Sequence, residues 1–372
     1  MDNKDSKPAM EYRYLGKTGL KVSVLSFGNM VNHQAADPQA STTEIVAKCL
    51  EYGINFFDTA EIYSLGNAEV FLGQAFKDLK VRREDIVVTT KLFFGTDGFH
   101  SLNPSWVNRK GLSRKHIIEG TRNSLKRLQL DYVDVIYAHR YDEDTPIEEV
   151  VRAFSWVIDQ GHAFYWGTSE WDADQITNAI LYAQAHGLHA PVTEQPQYNM
   201  YVRDRLEKEY ATLFKLYGYG TTCWSPLAQG LLTGRYNDGN MPEDSRFVVD
   251  NSFKDFKDRA MNQLFGPGKK EKTIEALNKL AELAKQHGFT QTQLALAWAL
   301  ANTDVSSLIL GFSKAHYVEE NVKALDLYRK WNQELESAVE GILGNTPAAS
   351  INPREFRLNK TRRQQQVLFG KL

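Results

Sequence analysis

The chain has 372 residues, 42% hydrophobic and 24% charged, an ordinary balance for a folded chain with a sizeable core. Its 46 acidic and 44 basic residues leave a formal charge of −2, which supplies no field to attract nucleic acid. Residues 1–8 lack the apolar core of a signal peptide, and no apolar run approaches a membrane span. The only cysteines, Cys49 and Cys223, read as buried thiols of a reducing compartment, so a cytoplasmic protein without membrane insertion is expected.

In chain order, a disordered start over residues 1–10 gives way to a hairpin, Tyr12 to Leu15 and Lys21 to Val24, joined by the turn Gly16 to Gly19. Eight short apolar runs follow: Leu25 to Gly28, Ile54 to Asp58, Ile86 to Lys91, Val133 to His139, Ala163 to Ser169, Val192 to Gln197, Gly220 to Ser225 and Ser307 to Phe312. Most are hydrophobic on both faces, as a buried parallel sheet requires. Helical segments alternate with them. Ser113 is placed to cap a helix running to about Gln129, and Thr145 to Glu148 reads as a capping box with proline at the first helical position and Gly161 as the stop. Asp172 with Gln175 and Thr290 with Gln293 read as further capping boxes. Strict strand–helix alternation implies right-handed crossovers, and eight repeats favour closure into a (β/α)8 barrel spanning 11–344, followed by a mobile basic tail over 345–372. Two connections, 92–112 and 226–270, are longer than a simple barrel needs and fall at its catalytic end.

Four polar residues sit at or just past strand ends: Asp58, Tyr63, Lys91 and His139. Barrel chemistry is placed there. Singly, each has an ordinary structural reading. Together they form a proton-delivery set in which a phenol is the acid and an ammonium favours its ionised form. A carboxylate holds that ammonium, and an imidazole positions a carbonyl. Such a set suits protonation of the alkoxide formed when hydride reaches a carbonyl carbon. No GxGxxG follows a first strand, which argues against a Rossmann domain and for a dinucleotide lying across the barrel mouth. Trp224 to Gly230 would then supply an aromatic face and a tight turn with backbone donors. Arg235 and Arg246 are candidates for phosphates, and Gly311 to Lys314 opens a helix able to hold a 2′-phosphate. Phe93, Phe94 and Trp106 are candidates for an aromatic substrate pocket. His186 and His189 lack the accompanying ligands of a metal site, and none is expected.

At this point the chain resembles the aldo-keto reductases, most closely the branch containing voltage-gated potassium-channel β subunits and their plant and fungal relatives. The likeness runs from about Glu11 to Gly344 and is carried by YLGKTGLKVS (14–23), GLSRKHI (111–117), FYWGTSEW (164–171), EQPQYNM (194–200), WSPLA (224–228) and DSRF (244–247). The family's Asp-Tyr-Lys-His tetrad matches Asp58, Tyr63, Lys91 and His139. The resemblance implies NADPH/NADP+ extended across a TIM barrel, a small carbonyl substrate, a homotetramer, and a possible potassium-channel α subunit as partner. It places Ser169 and Gln195 on the nicotinamide carboxamide, with Glu170 beside them, and Trp224 as the stacking aromatic. Ser225, Pro226, Leu227, Ala228, Gln229, Arg235 and Arg246 fall on the phosphate loop. Gly311, Ser313, Lys314, Glu320 and Asn321 fall at the adenosine end, and Asn29 and Met30 beneath the cofactor. Some channel subunits carry Asn at the fourth tetrad position, so His139 favours chemistry over a purely regulatory role. Glu170 stands where animal subunits have Arg. Tyr317 replaces the Arg or Gln common near the adenine phosphate, which leaves NADPH preference to Arg246, Ser313 and Lys314.

Overall fold

The computed structural model describes residues 9–30, 35–98, 106–240, 242–243, 245, 258, 261–262 and 265–348. Expectations for the two termini fall partly, and that for Arg246 wholly, outside these residues. Strands β1 (Tyr12–Tyr14) and β2 (Lys21–Ser23) form the expected antiparallel hairpin. The eight remaining strands are β3 (Leu25–Gly28), β4 (Phe56–Asp58), β5 (Val87–Leu92), β6 (Val133–Ala138), β7 (Ala163–Thr168), β8 (Thr193–Glu194), β9 (Gly220–Trp224) and β10 (Ser307–Leu310). They pair in parallel and in sequence, and β10 closes on β3 to complete the barrel. Every residue of β5 and β6 is buried, Thr89, Thr90, Lys91 and Asp134 included, as in strands covered on both faces.

The hairpin plugs the N-terminal end of the barrel. Leu15 packs against Val135 and Tyr137, and Val22 against Phe56 and Val87. Gly16 makes this plug possible: at φ +57°, a Cβ there would lie 2.6 Å from the backbone nitrogen of Gly220. A side chain at Gly16 would push the hairpin off the barrel floor.

The outer layer holds helices α1 (Pro38–Glu51), α2 (Asn67–Asp78), α3 (Arg114–Leu128), α4 (Ile147–Asp159), α5 (Ala173–Ala185) and α6 (Ala211–Tyr217). It continues with α7 (Lys270–Gln286), α8 (Gln291–Ala301), α9 (His316–Val322), α10 (Ala324–Tyr328) and α11 (Gln333–Leu343). Ser113 caps α3 by accepting from the His116 amide, and the capping boxes at Asp172 and Thr290 both form. The box expected at Thr145 does not. Pro146 is the N-cap of α4, one residue outside the helix, and Thr145 Oγ1 donates instead to Asp142 Oδ2 at 2.8 Å. The sixth barrel strand is also shorter than its apolar run. β8 keeps only Thr193 and Glu194, because Pro196 has no N–H to continue the ladder; Gln197 regains a single bridge to Trp224. Among the described residues no helix is long and apolar enough to cross a membrane.

Candidate active site

The parallel register brings the ends of β4, β5 and β6 side by side, with Asp58 opposite Thr89, and Lys91 opposite Tyr137. Lys91 is fully buried and donates from Nζ to Asp58 Oδ2 at 2.5 Å and to the Thr59 carbonyl at 2.6 Å. Asp58 Oδ1 accepts from Thr89 Oγ1 at 2.7 Å and from Gln195 Nε2 at 3.0 Å. The carboxylate is therefore held at both oxygens, which is what a buried ion pair needs to offset its desolvation. Tyr63 comes from the loop after β4, its ring centroid 5.0 Å from Lys91 Nζ and 6.0 Å from the His139 ring, edge to face. Phe94 packs edge-on against His139 at 5.2 Å. All four tetrad residues thus converge on one volume at the C-terminal mouth.

Electrostatics here depart from the simple expectation that Lys91 lowers the tyrosine pKa. Burial raises the Tyr63 phenol above its ordinary value; the Lys91 and Arg140 charges pull it down, and the Asp58 charge adds to the rise. The ammonium is already committed to Asp58, so its net pull on the phenol is blunted. Tyr63 stays a neutral proton donor in the absence of other charge. Burial, then the Arg140 and Lys91 charges, hold His139 well below its ordinary range, so the imidazole is neutral, and its Nδ1 is buried without a hydrogen-bond partner. A neutral imidazole keeps one N–H to offer an oxygen.

The residues expected at a nicotinamide lie next to the tetrad and are tied to it. Gln195 reaches Asp58 as above, and Ser169 Oγ donates to the Gln195 carbonyl at 3.0 Å. Glu170, at φ +59°, accepts at Oε1 from the Trp224 indole at 2.8 Å and from the Gln197 amide at 2.6 Å, fixing the indole at the end of β9. Beyond Trp224 the chain turns sharply, with Ser225, Ala228 and Gln229 all at positive φ. The amides of Ala228 and Gln229 donate to the Ser225 carbonyl and hydroxyl, and that of Gly230 to the Leu227 carbonyl. These donors serve the turn itself. Pro226 belongs to the same turn, and Arg235 is exposed beyond it. Gly311, Ser313, Lys314 and Glu320 are exposed around the start of α9 and Asn321 is buried; no hydrogen bond joins this group to the tetrad among the described residues. Asn29, at the end of β3, donates to the Ala68 carbonyl at 2.6 Å while its Oδ1 is buried without a partner, and Met30 follows it half-buried. Of the three aromatic candidates in the loop after β5, Phe94 reaches the tetrad, Phe93 packs on Phe94, and Trp106 lies beneath the Lys110 ammonium.

Residues that reading the strand ends alone overlooks complete the support. Glu61, buried between Asp58 and Tyr63 in sequence, accepts from the amides of Phe93 and Gly95 and faces His116 Nε2 at 3.1 Å. It pins the loop that carries Phe94. Arg140 follows His139 directly and donates to the His139 carbonyl and, at 3.4 Å, to Ser169 Oγ. The signal in the sequence was the His-Arg pair at a strand end, masked by the frequency of surface arginines.

Glu194, fully buried at the end of β8, accepts from Thr168 Oγ1 and, at 3.3 Å, from the Trp171 amide. Burial pushes its carboxyl up to about 8, and the nearby Glu170 charge adds to the rise. The folded state therefore keeps a proton that the unfolded state releases near 4.5. Stability contributed by this group is full below that value and falls as pH rises toward about 8, by at most about 1.4 kcal/mol per pH unit. In Glu194→Gln that decline should vanish, so denaturant midpoints of variant and parent should converge at pH 5 and separate at pH 8, the variant higher. Parallel curves at both pH values would remove the assignment.

The unpartnered Asn29 Oδ1 and His139 Nδ1, the chain of hydrogen bonds from Ser169 through Gln195 to Asp58, and the Trp224 indole held by Glu170 are a set of groups that fits a nicotinamide cofactor. The aldo/keto reductase family model matches residues 24–340. The chain is 46% identical over 338 residues to a probable voltage-gated potassium channel subunit beta of Oryza sativa subsp. japonica, covering 91% of this chain and 98% of that protein. It is 45% identical over 348 residues to a probable voltage-gated potassium channel subunit beta of Arabidopsis thaliana, covering 94% and 100%. To a putative voltage-gated potassium channel subunit beta of Schizosaccharomyces pombe it is 47% identical over 338 residues, covering 90% and 94%.

Proposed function

The chain belongs to the aldo/keto reductase family, a family of oxidoreductases, and from that premise we propose that it reduces aldehydes and ketones to alcohols with NADPH, Tyr63 acting as general acid. The observation that carries the reading is the buried Lys91–Asp58 pair beside the rings of Tyr63 and His139. Ser169, Gln195 and Trp224 would hold a dihydronicotinamide, which when bound would supply the hydride, two electrons, that the carbonyl carbon accepts. His139 and Tyr63 hold the carbonyl oxygen between an imidazole N–H and a phenol. As negative charge develops on that oxygen, Tyr63 gives it the proton, and Lys91 stabilises the phenolate left behind. Asp58 keeps Lys91 charged and aimed. Ser169 and Gln195 would hold the carboxamide, and Trp224, braced by Glu170, would stack on the ring.

For the 2′-phosphate, Ser313 and Lys314 stand exposed ahead of α9, with Arg246 as a further candidate. Titrating NADPH and NADH against tryptophan fluorescence should give at least tenfold tighter binding of NADPH, a difference of about 1.4 kcal/mol. Equal dissociation constants would refute NADPH preference while leaving nicotinamide binding intact.

A second reading is a redox-sensing subunit of a potassium channel with slow turnover, supported by the names of the plant and yeast relatives. The two are compatible. Turnover with a reactive aldehyde separates them, since a pure sensor would hold its cofactor through many additions of substrate.

A further inference from the structure

Among the described residues, the other buried and half-buried arginines are matched. Arg83 meets Asp134 at 2.6 Å, Arg127 meets Glu69 at 2.6 Å, and Arg203 meets Glu207 and Glu340 at 2.9 and 2.8 Å. Arg205 meets Asp172 at 3.0 Å, and Arg13, which has no carboxylate, spends its guanidinium on three carbonyls and the Tyr328 hydroxyl. Arg140 differs. It is half-buried at the mouth, and only Nη1 is engaged, by the His139 carbonyl and more distantly by Ser169 Oγ. Among the described residues Nε and Nη2 have no partner and no carboxylate pairs with the group. The other charges around the cleft do not serve it: Lys91 is compensated by Asp58, and Glu170 accepts from Trp224 and Gln197.

Its position is set by the catalytic centre. The guanidinium carbon lies 5.9 Å from the Phe94 ring centroid, and the same ring packs 5.2 Å from that of His139. A carbonyl held by Tyr63 and His139 would therefore have a cation with free donors a few bonds away, beside an aromatic wall. A half-buried guanidinium with an unused edge matches a carboxylate, which can take two parallel N–H bonds.

Resting on the reductase reading above, we propose that Arg140 is a specificity-determining residue and that the substrates are aldehydes or ketones carrying a carboxylate within a few carbons of the carbonyl. Arg140 binds the carboxylate, Phe94 covers the intervening carbons, and Tyr63 and His139 receive the carbonyl oxygen.

The probes are 4-oxobutanoate and its methyl ester, which differ in one negative charge. The wild-type protein with NADPH should show kcat/KM at least tenfold higher for the acid. In Arg140→Gln the acid-to-ester ratio should fall to about one, whatever the variant's overall rate, and Arg140→Lys should recover part of it. In parallel, calorimetry of 4-hydroxybutanoate on protein saturated with NADP+ should show at least tenfold weaker binding to Arg140→Gln. A wild-type ratio near one, or an unchanged ratio in the variant, overturns the assignment even if both aldehydes are reduced. If neither is reduced, the reductase reading fails, and the calorimetry alone decides the anion site: equal binding by wild type and variant ends it.

Discussion

Tyr63→Phe should lower carbonyl reduction by 10²–10⁴-fold, the typical contribution of a positioned general acid, while leaving cofactor affinity within a few-fold of wild type. The substitution removes one oxygen and keeps the ring, which packs edge-on with His139 and lies over the Lys91 ammonium. The loss should appear in kcat and kcat/KM alike, because the proton is needed only as the carbonyl becomes an alkoxide. Steady-state turnover with a reactive aldehyde, beside cofactor titration by tryptophan fluorescence, separates the two effects. Equal turnover by the variant would return Tyr63 to the role of a packing residue.

Lys91→Met should be the most destabilising single change at the site, by about 3–5 kcal/mol. The methionine fills a similar volume, but Asp58 would keep its charge in a buried position where, among the described residues, only the Thr89 and Gln195 side chains would still donate to it. Adding Asp58→Asn removes that orphaned charge. The double variant should therefore be more stable than Lys91→Met alone, although both lose activity. Urea denaturation of the set measures this directly, and strictly additive losses would mean that the pair is not coupled. The same cycle bears on mechanism. A lysine whose main partner is Asp58 supports Tyr63 after proton transfer, as the phenolate forms, more than before it.

The barrel was legible because its information is local and repeated. Runs such as Val133 to Ala138, apolar but for Asp134, are short, rich in β-branched residues and bounded by helical segments, the pattern of a strand covered on both sides. Helix ends were legible where a side chain and a backbone amide three residues apart decide the matter, as at Ser113, Asp172 and Thr290. Reading failed at Thr145, where Asp142, a residue of the same loop, outcompeted the helix for its hydroxyl, and at β8, where Pro196 ended a ladder that hydrophobicity would have continued. Family motifs carried the resemblance across most of the chain.

Sequence by itself determined which chemical groups stand at the strand ends, since alternation of strand and helix leaves Asp58, Lys91 and His139 there whatever the packing details. It did not determine their charge states or their partners. Whether Tyr63 is raised or lowered depends on how much of the Lys91 charge Asp58 has already taken, and that depends on distances across three strands. Whether Arg140 is a solvated surface cation or an open donor beside the catalytic histidine depends on the absence of a carboxylate within reach among the described residues. Burial and pairing are properties of neighbours far apart in the chain. Only the closed barrel brings those neighbours together and decides them.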